Sequence, residues 1–292
     1  SEQSGPNGDC SMSTGIRLTG LLTGLQIVVL AIAATAVPLS PPAVMVAVAA
    51  GLFLILKAFT FASQVRPRKS WSYLPLWCVA TPTLNASDFF ARPQPRPETR
   101  WTFDFLQPLL FALTGLTAIV FVLPSLKDRS AYLSGYVAIA ALLAVFHFGL
   151  LHLVVSLWNL AGFQTRPLMK APWRALTVAE FWGQRWNTAF RDLVHRHIFL
   201  PTLRRHGQLW AMLGVFIASG LIHEIAISVP ARGGYGGPTL YFLIQAAAMF
   251  AERYASASGI ASNPLVRRLA TWNILLLPVP LLFHEPFRDR VI

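Results

Sequence analysis

Residues 209–229 read LWAMLGVFIASGLIHEIAISV, and the rest of the chain is read outward from this stretch. It is an apolar run of about 20 residues, enough for a helix to cross the ~30 Å hydrocarbon core of a bilayer. Yet it carries His223 and Glu224 side by side, some two-thirds of the way along. Ionisable groups at such depth are costly, so they face a cavity or a polar partner. Ser219 and Gly220 lie one turn before His223, on its face, and are expected to leave open space beside the imidazole. Imidazole works as a general base near neutral pH without a metal. The residues alone leave two readings, a catalytic base or a structural histidine hydrogen-bonded between helices.

The composition agrees with a membrane setting. Hydrophobic residues make up 54% of the chain and charged residues 12%, about half the usual charged fraction of a soluble protein. Further apolar runs cover 16–37, 43–62, 105–123, 132–157 and 239–249, the last extending towards Tyr254. A final run, 272–283, is short and broken by Pro278 and Pro280. The expected fold is an all-α integral membrane protein, a polytopic bundle of about seven spans. A polar tail over 1–14 is expected to be disordered, and 15–292 to form one domain with its motif core at 158–224. Ala34-Thr35-Ala36 allows an alternative in which the first run is a cleaved signal, although the run is long for one.

The formal charge of +12 is concentrated in two stretches, Arg66 to Arg100 and Arg166 to Arg205. In a membrane protein such clusters mark cytoplasmic loops. With a cytoplasmic N-terminus both fall on that side, and the turns at 38–42, 127–129 and 232–237 face out. The membrane expected is a bacterial inner membrane or the endoplasmic reticulum. The same charges attract anionic lipids or a phosphorylated cofactor. No nucleic-acid recognition motif accompanies them, so nucleic acid is not an expected partner. Trp71, Tyr73 and Trp77, in the first basic loop, suit the bilayer interface. With only Cys10 and Cys78 there is no disulfide framework and no thiolate cluster. His147, His152, His223 and His284 show no metal-ligand spacing, and no metal is expected. His195, His197 and His206, among arginines, read as solvated.

Upstream of the buried pair, Thr177-x-x-Glu180 has capping-box spacing, so a helix is expected to start at Val178. On a helical wheel Phe181, Trp182, Trp186, Ala189, Phe190, Leu193 and Val194 share one face, opposite Gln184, Thr188, Arg191, Asp192 and His195. That pattern describes an amphipathic helix lying along the membrane surface and carrying the whole of FWGQRWN, 181–187. Asn187 falls at the edge of the apolar face, where its amide needs a partner in the protein or the substrate. Spacing alone favours a boundary asparagine bonded to a neighbouring loop.

Phe181-Trp-Gly-Gln-Arg-Trp-Asn187 resembles the FW-x-x-RW-N/H motif of the wax synthase-like branch of membrane-bound O-acyltransferases. Ser219-Gly-Leu-Ile-His-Glu224 resembles that family's buried histidine motif, and Phe283-His-Glu-Pro-Phe287 is similar to its closing segment. The resemblance covers 158–224 in order and spacing. It implies acyl transfer from acyl-CoA, a co-substrate rather than a bound cofactor, to a hydroxyl. The first acceptor to consider is a long-chain fatty alcohol, giving a wax ester. The runner-up is acetyl transfer to a sterol, terpenoid, polyketide or sugar hydroxyl. His223 matches the catalytic histidine and Asn187 its paired polar residue. Arg185, Arg191, Arg204 and Arg205, with Trp182 and Trp186, are the candidates for holding the CoA portion.

Two other classes remain open on the residues alone. A transporter or channel would use His223 in a proton path. A membrane scaffold would use His223 and Asn187 only for packing.

Overall fold

The structure is a computed structural model, and it describes residues 7–36, 38–64, 74–90, 100–257 and 263–292. Among these every regular element is a helix. Five helices are long and apolar enough to cross a membrane: Pro41–Gln64, Thr102–Lys127, Ala131–Leu160, Thr188–Ala231 and Pro264–Leu282. Asn7–Ala36 and Gly237–Ala257 coincide with two further apolar runs. The first of these is helical from Asn7, within the stretch expected to be an irregular tail.

The long helix Thr188–Ala231 is not one rod. Gly207 has φ 83° and ψ 178°, a backbone region open essentially to glycine alone. The chain folds back there, bringing Ile198 Cγ2 to within 3.3 Å of where a Cβ on Gly214 would lie. The arm before the bend is 188–206, and the arm after it is the span at 209–229. Arg204, Arg205 and His206 are exposed at the bend. His195 is also exposed, whereas His197, read from sequence as solvated, is half-buried with its ring 4.6 Å from that of Phe59.

The core forms where 208–231, 237–257 and the closing segment meet, around Phe216, Ile227, Tyr241, Phe242, Leu282 and Phe287. Residues Ile27, Leu30 and Ala34 of the first helix pack with Val44, Val48 and Leu52 against Ile222, Ile225 and Val229. The loop 232–236 turns through left-handed backbone at Arg232, Gly234 and Gly236. A Cβ on Gly234 would overlap the His284 ring, so the closing segment docks where that loop has no side chain. His284 Nδ1 accepts from Phe287 N at 3.3 Å, capping helix Glu285–Arg290, and its Nε2 lies 3.2 Å from Ser228 Oγ.

Trp77, expected at the interface, is fully buried, while Trp71 and Tyr73 lie outside the described residues. The reason is Lys57, also fully buried in helix Pro41–Gln64. Its Nζ donates to Trp77 O at 2.6 Å and to Thr81 Oγ1 at 2.7 Å, and sits 3.9 Å from the centre of a Trp77 ring. Two acceptors and a ring face satisfy the ammonium and draw the helix Leu74–Ala80 onto the bundle.

Candidate active site

The capping expectation at Thr177 is met: its Oγ1 accepts from Glu180 N at 2.9 Å. The helix that follows is short. It widens into a π turn over Phe181–Arg185 and stops at Trp186, whose backbone is extended (φ −100°, ψ 130°). Asn187 is left-handed (φ 40°, ψ 60°) and caps a new helix, its Oδ1 accepting from Phe190 N at 3.2 Å. The single amphipathic helix expected over 178–195 is therefore two helices meeting at a corner. The cause is local: asparagine tolerates the left-handed conformation and supplies its own cap. A helical wheel assumes an unbroken backbone and cannot register this.

The corner fixes what Asn187 can do. Its Oδ1 is committed to the cap, and among the described residues its Nδ2 donates to no protein group. The carbonyls of Leu168 and Pro167 hold the neighbouring Thr188 by its N (2.9 Å) and Oγ1 (2.8 Å).

His223 is held by its own helix. Nδ1 lies 2.7 Å from the Ser219 carbonyl oxygen. A carbonyl only accepts, so Nδ1 carries the proton and the lone pair is left on Nε2. The expected open space beside the ring is occupied. Phe242 lies 4.6 Å from it, centre to centre. Ser219 Oγ turns back to Val215 O (2.9 Å), and a Cβ on Gly220 would come within 2.8 Å of Thr239 Cα. Those small residues bring helix 237–257 close; they do not leave a void.

No hydrogen bond joins His223 to Asn187 among the described residues. A file of rings runs from one motif to the other. Phe242 lies 5.4 Å from Trp182, Trp182 lies 5.0 Å from Phe181, and Phe181 stacks on Trp186 at 5.3 Å. Trp182 Nε1 also reaches Gln245 Oε1 at 3.5 Å, and the fully buried Gln245 donates to Ile274 O at 3.0 Å. Sequence reading missed Gln245, which is a single polar residue in an apolar run (Ile244, Ala246–Ala248).

The other candidates divide. Arg185 donates from Nε to Glu180 Oε1 (2.7 Å) and from Nη1 to Lys170 O (3.1 Å). Arg191 donates to Gly183 O (2.6 Å) and pairs with Asp192 (2.6 Å). Both are taken up inside the corner, and Trp182 and Trp186 are packed in the ring file. Arg204 and Arg205 stand exposed at the Gly207 bend. Among the described residues no cluster of histidine, cysteine and carboxylate side chains is arranged to hold a metal ion.

The helices define a multi-pass all-α membrane protein in which His223 Nδ1 is bonded within its own helix and Nε2 has no protein partner among the described residues. Residues 165–244 match the membrane bound O-acyl transferase family, a stretch that includes both Asn187 and His223. The chain is 36% identical over 90 residues to diacylglycerol O-acyltransferase 1 of Chlorocebus aethiops and to that of Homo sapiens, covering 30% of this chain and 18% of each relative. It is 26% identical over 73 residues to acyl-CoA–sterol O-acyltransferase 1 of Arabidopsis thaliana, covering 23% of this chain and 21% of the relative. Over this segment the chain is similar to membrane-bound O-acyltransferases. The alignments take in about a fifth of each of these relatives.

Proposed function

We propose that the protein transfers an acyl group from acyl-CoA to the hydroxyl of a lipid-soluble acceptor. The observation that carries this reading is the Nδ1 bond from His223 to Ser219 O, which leaves Nε2 as a fixed base within the bundle. In the proposed reaction Nε2 takes the proton of the acceptor hydroxyl as its oxygen attacks the thioester carbonyl. The C–S bond breaks, and the imidazolium returns the proton to the CoA thiolate, giving an ester and free CoA.

Asn187 is assigned to the acyl donor, because no bond ties it to the imidazole and Nδ2 is left to donate to the thioester oxygen. Arg204 and Arg205 are assigned to the CoA phosphates. Burial of the reaction in the bundle keeps water from the thioester. The first acceptor proposed is a long-chain fatty alcohol, with a wax ester as product. The relatives are named for diacylglycerol and sterol, which are also lipid hydroxyls, so both join the acceptors to be tried. The N-terminus and basic loops are assigned to the cytoplasmic side by the positive-inside rule.

The test is thiol release from acyl-CoA by purified protein with fatty alcohols, diacylglycerol and sterols, wild type beside an equally folded His223→Ala. Acceptor-dependent release that falls by about 10²–10⁴ in the variant is expected. Release that survives in His223→Ala overturns the assignment of the base. Absence of release with every acceptor overturns the acyltransferase reading.

A further inference from the structure

Glu224 follows His223 directly, and the pair invites a reading as base and acidic partner. The geometry points elsewhere. One oxygen, Oε1, accepts from Gly236 N, Thr239 N and Thr239 Oγ1, each at 3.0 Å. Its donors are the last loop residue and the first turn of helix Gly237–Ala257, so the carboxylate caps that helix from a neighbouring one. Oε2 is buried without a protein partner, so the clamp works through a single oxygen.

The clamp bears on the imidazole through a short path. Thr239 is one turn before Phe242, and Phe242 is the ring against His223 at 4.6 Å. Gly220, on the same helix as Glu224, has Thr239 Cα against it. Gly220, His223 and Glu224 thus meet Thr239, Phe242 and Gly236 across one interface, and Glu224 supplies its hydrogen bonds.

We propose that Glu224 is a positioning residue: as a hydrogen-bond acceptor it sets the register of helix 237–257 against 208–231, and so the wall on which the His223 ring rests. Proton transfer and charge are not its task. This rests on the acyltransferase reading above only for its kinetic arm.

A glutamine keeps Oε1 as an acceptor and removes the charge, whereas alanine removes the clamp. Glu224→Ala is expected to lower kcat at least about tenfold with KM for acyl-CoA within about twofold, and Glu224→Gln to keep kcat within about threefold of wild type. Thr239→Val, which removes only the hydroxyl arm, is expected to fall between them. If Glu224→Gln is as impaired as Glu224→Ala, the carboxylate acts through its charge or proton and the proposal is overturned. Wild-type kcat in Glu224→Ala overturns it as well.

Amide hydrogen exchange provides an arm independent of activity. Protection at Gly236 and Thr239 should persist in Glu224→Gln and be lost in Glu224→Ala; equal protection in all three proteins removes the clamp. Should wild type release no CoA, the exchange result still decides whether the clamp exists, and the reaction alone is withdrawn.

Discussion

The carboxylate of Glu252 accepts from the backbone of Val178, 2.7 Å from Oε1, across 74 residues of sequence, and from Ala179 N at 3.2 Å. Helix 237–257 is therefore tied at both ends. Glu224 caps its start, and its own Glu252 caps the start of the segment carrying Phe181–Asn187. The histidine motif and the aromatic motif have no direct bond, and this helix is what relates them. Glu252→Ala exposes two amide donors at a helix N-terminus and is expected to destabilise the protein by about 1–2 kcal/mol. Thermal unfolding in detergent measures it, and Glu252→Gln should recover part of the loss.

The bend at Gly207 depends on backbone alone, since nothing lies within 4 Å of where its Cβ would be. Gly207→Ala is expected to cost roughly 1–3 kcal/mol from the left-handed strain. Proteolysis at 204–208 should become faster as the arms part. Unchanged stability would mean that the bend forms without the glycine.

The short helical segment at 176–185, just before the corner, should be acid-labile. Burial pushes the Glu180 carboxyl up, but the Leu176 N–H and Arg185 together outweigh it and leave it below its ordinary 4.5. A depressed carboxylate contributes stability that is present above its unfolded value and lost as pH falls through the folded one. Stability is therefore expected to decline from about pH 4.5 downward, and a Glu180→Gln variant to lack that part of the decline. Melting temperatures across about pH 3–7 would show it.

The arginines named together in the sequence should separate in experiment. Arg204→Ala and Arg205→Ala are expected to raise KM for acyl-CoA severalfold with little change in melting temperature, and to lessen its salt dependence. Arg185→Ala removes the pair with Glu180 and two carbonyl contacts, so stability should fall first. The opposite pattern would move the CoA assignment back to the corner.

Much of the bundle was legible from local properties. Apolar runs long enough for a bilayer became helices, and Thr177 capped where its spacing said it would. The seventh run was misjudged at its start. Helix Pro264–Leu276 begins at the Asn263 cap, and its exposed Arg267 and Arg268 hid that from a hydropathy count. The corner at Trp186–Asn187 was missed because one left-handed residue ends a helix that a wheel continues.

What the sequence by itself determined is the membrane class, the positions of most spans and the choice of His223 and Asn187 as candidates. Each of these follows from composition, length or a motif within a few tens of residues. Only the tertiary structure decided that Nε2 of His223 is the free nitrogen, that Asn187 spends its oxygen on a cap, and that Arg185 and Arg191 are occupied. It alone showed Lys57 against Trp77 and both ends of helix 237–257 held by carboxylates. The His223 bond lies within its own helix and depends on how the ring is turned there; the others rest on partners that the fold brings in or on the turn the backbone takes at one residue. A donor or acceptor finds such a partner only when packing brings it within about 3 Å.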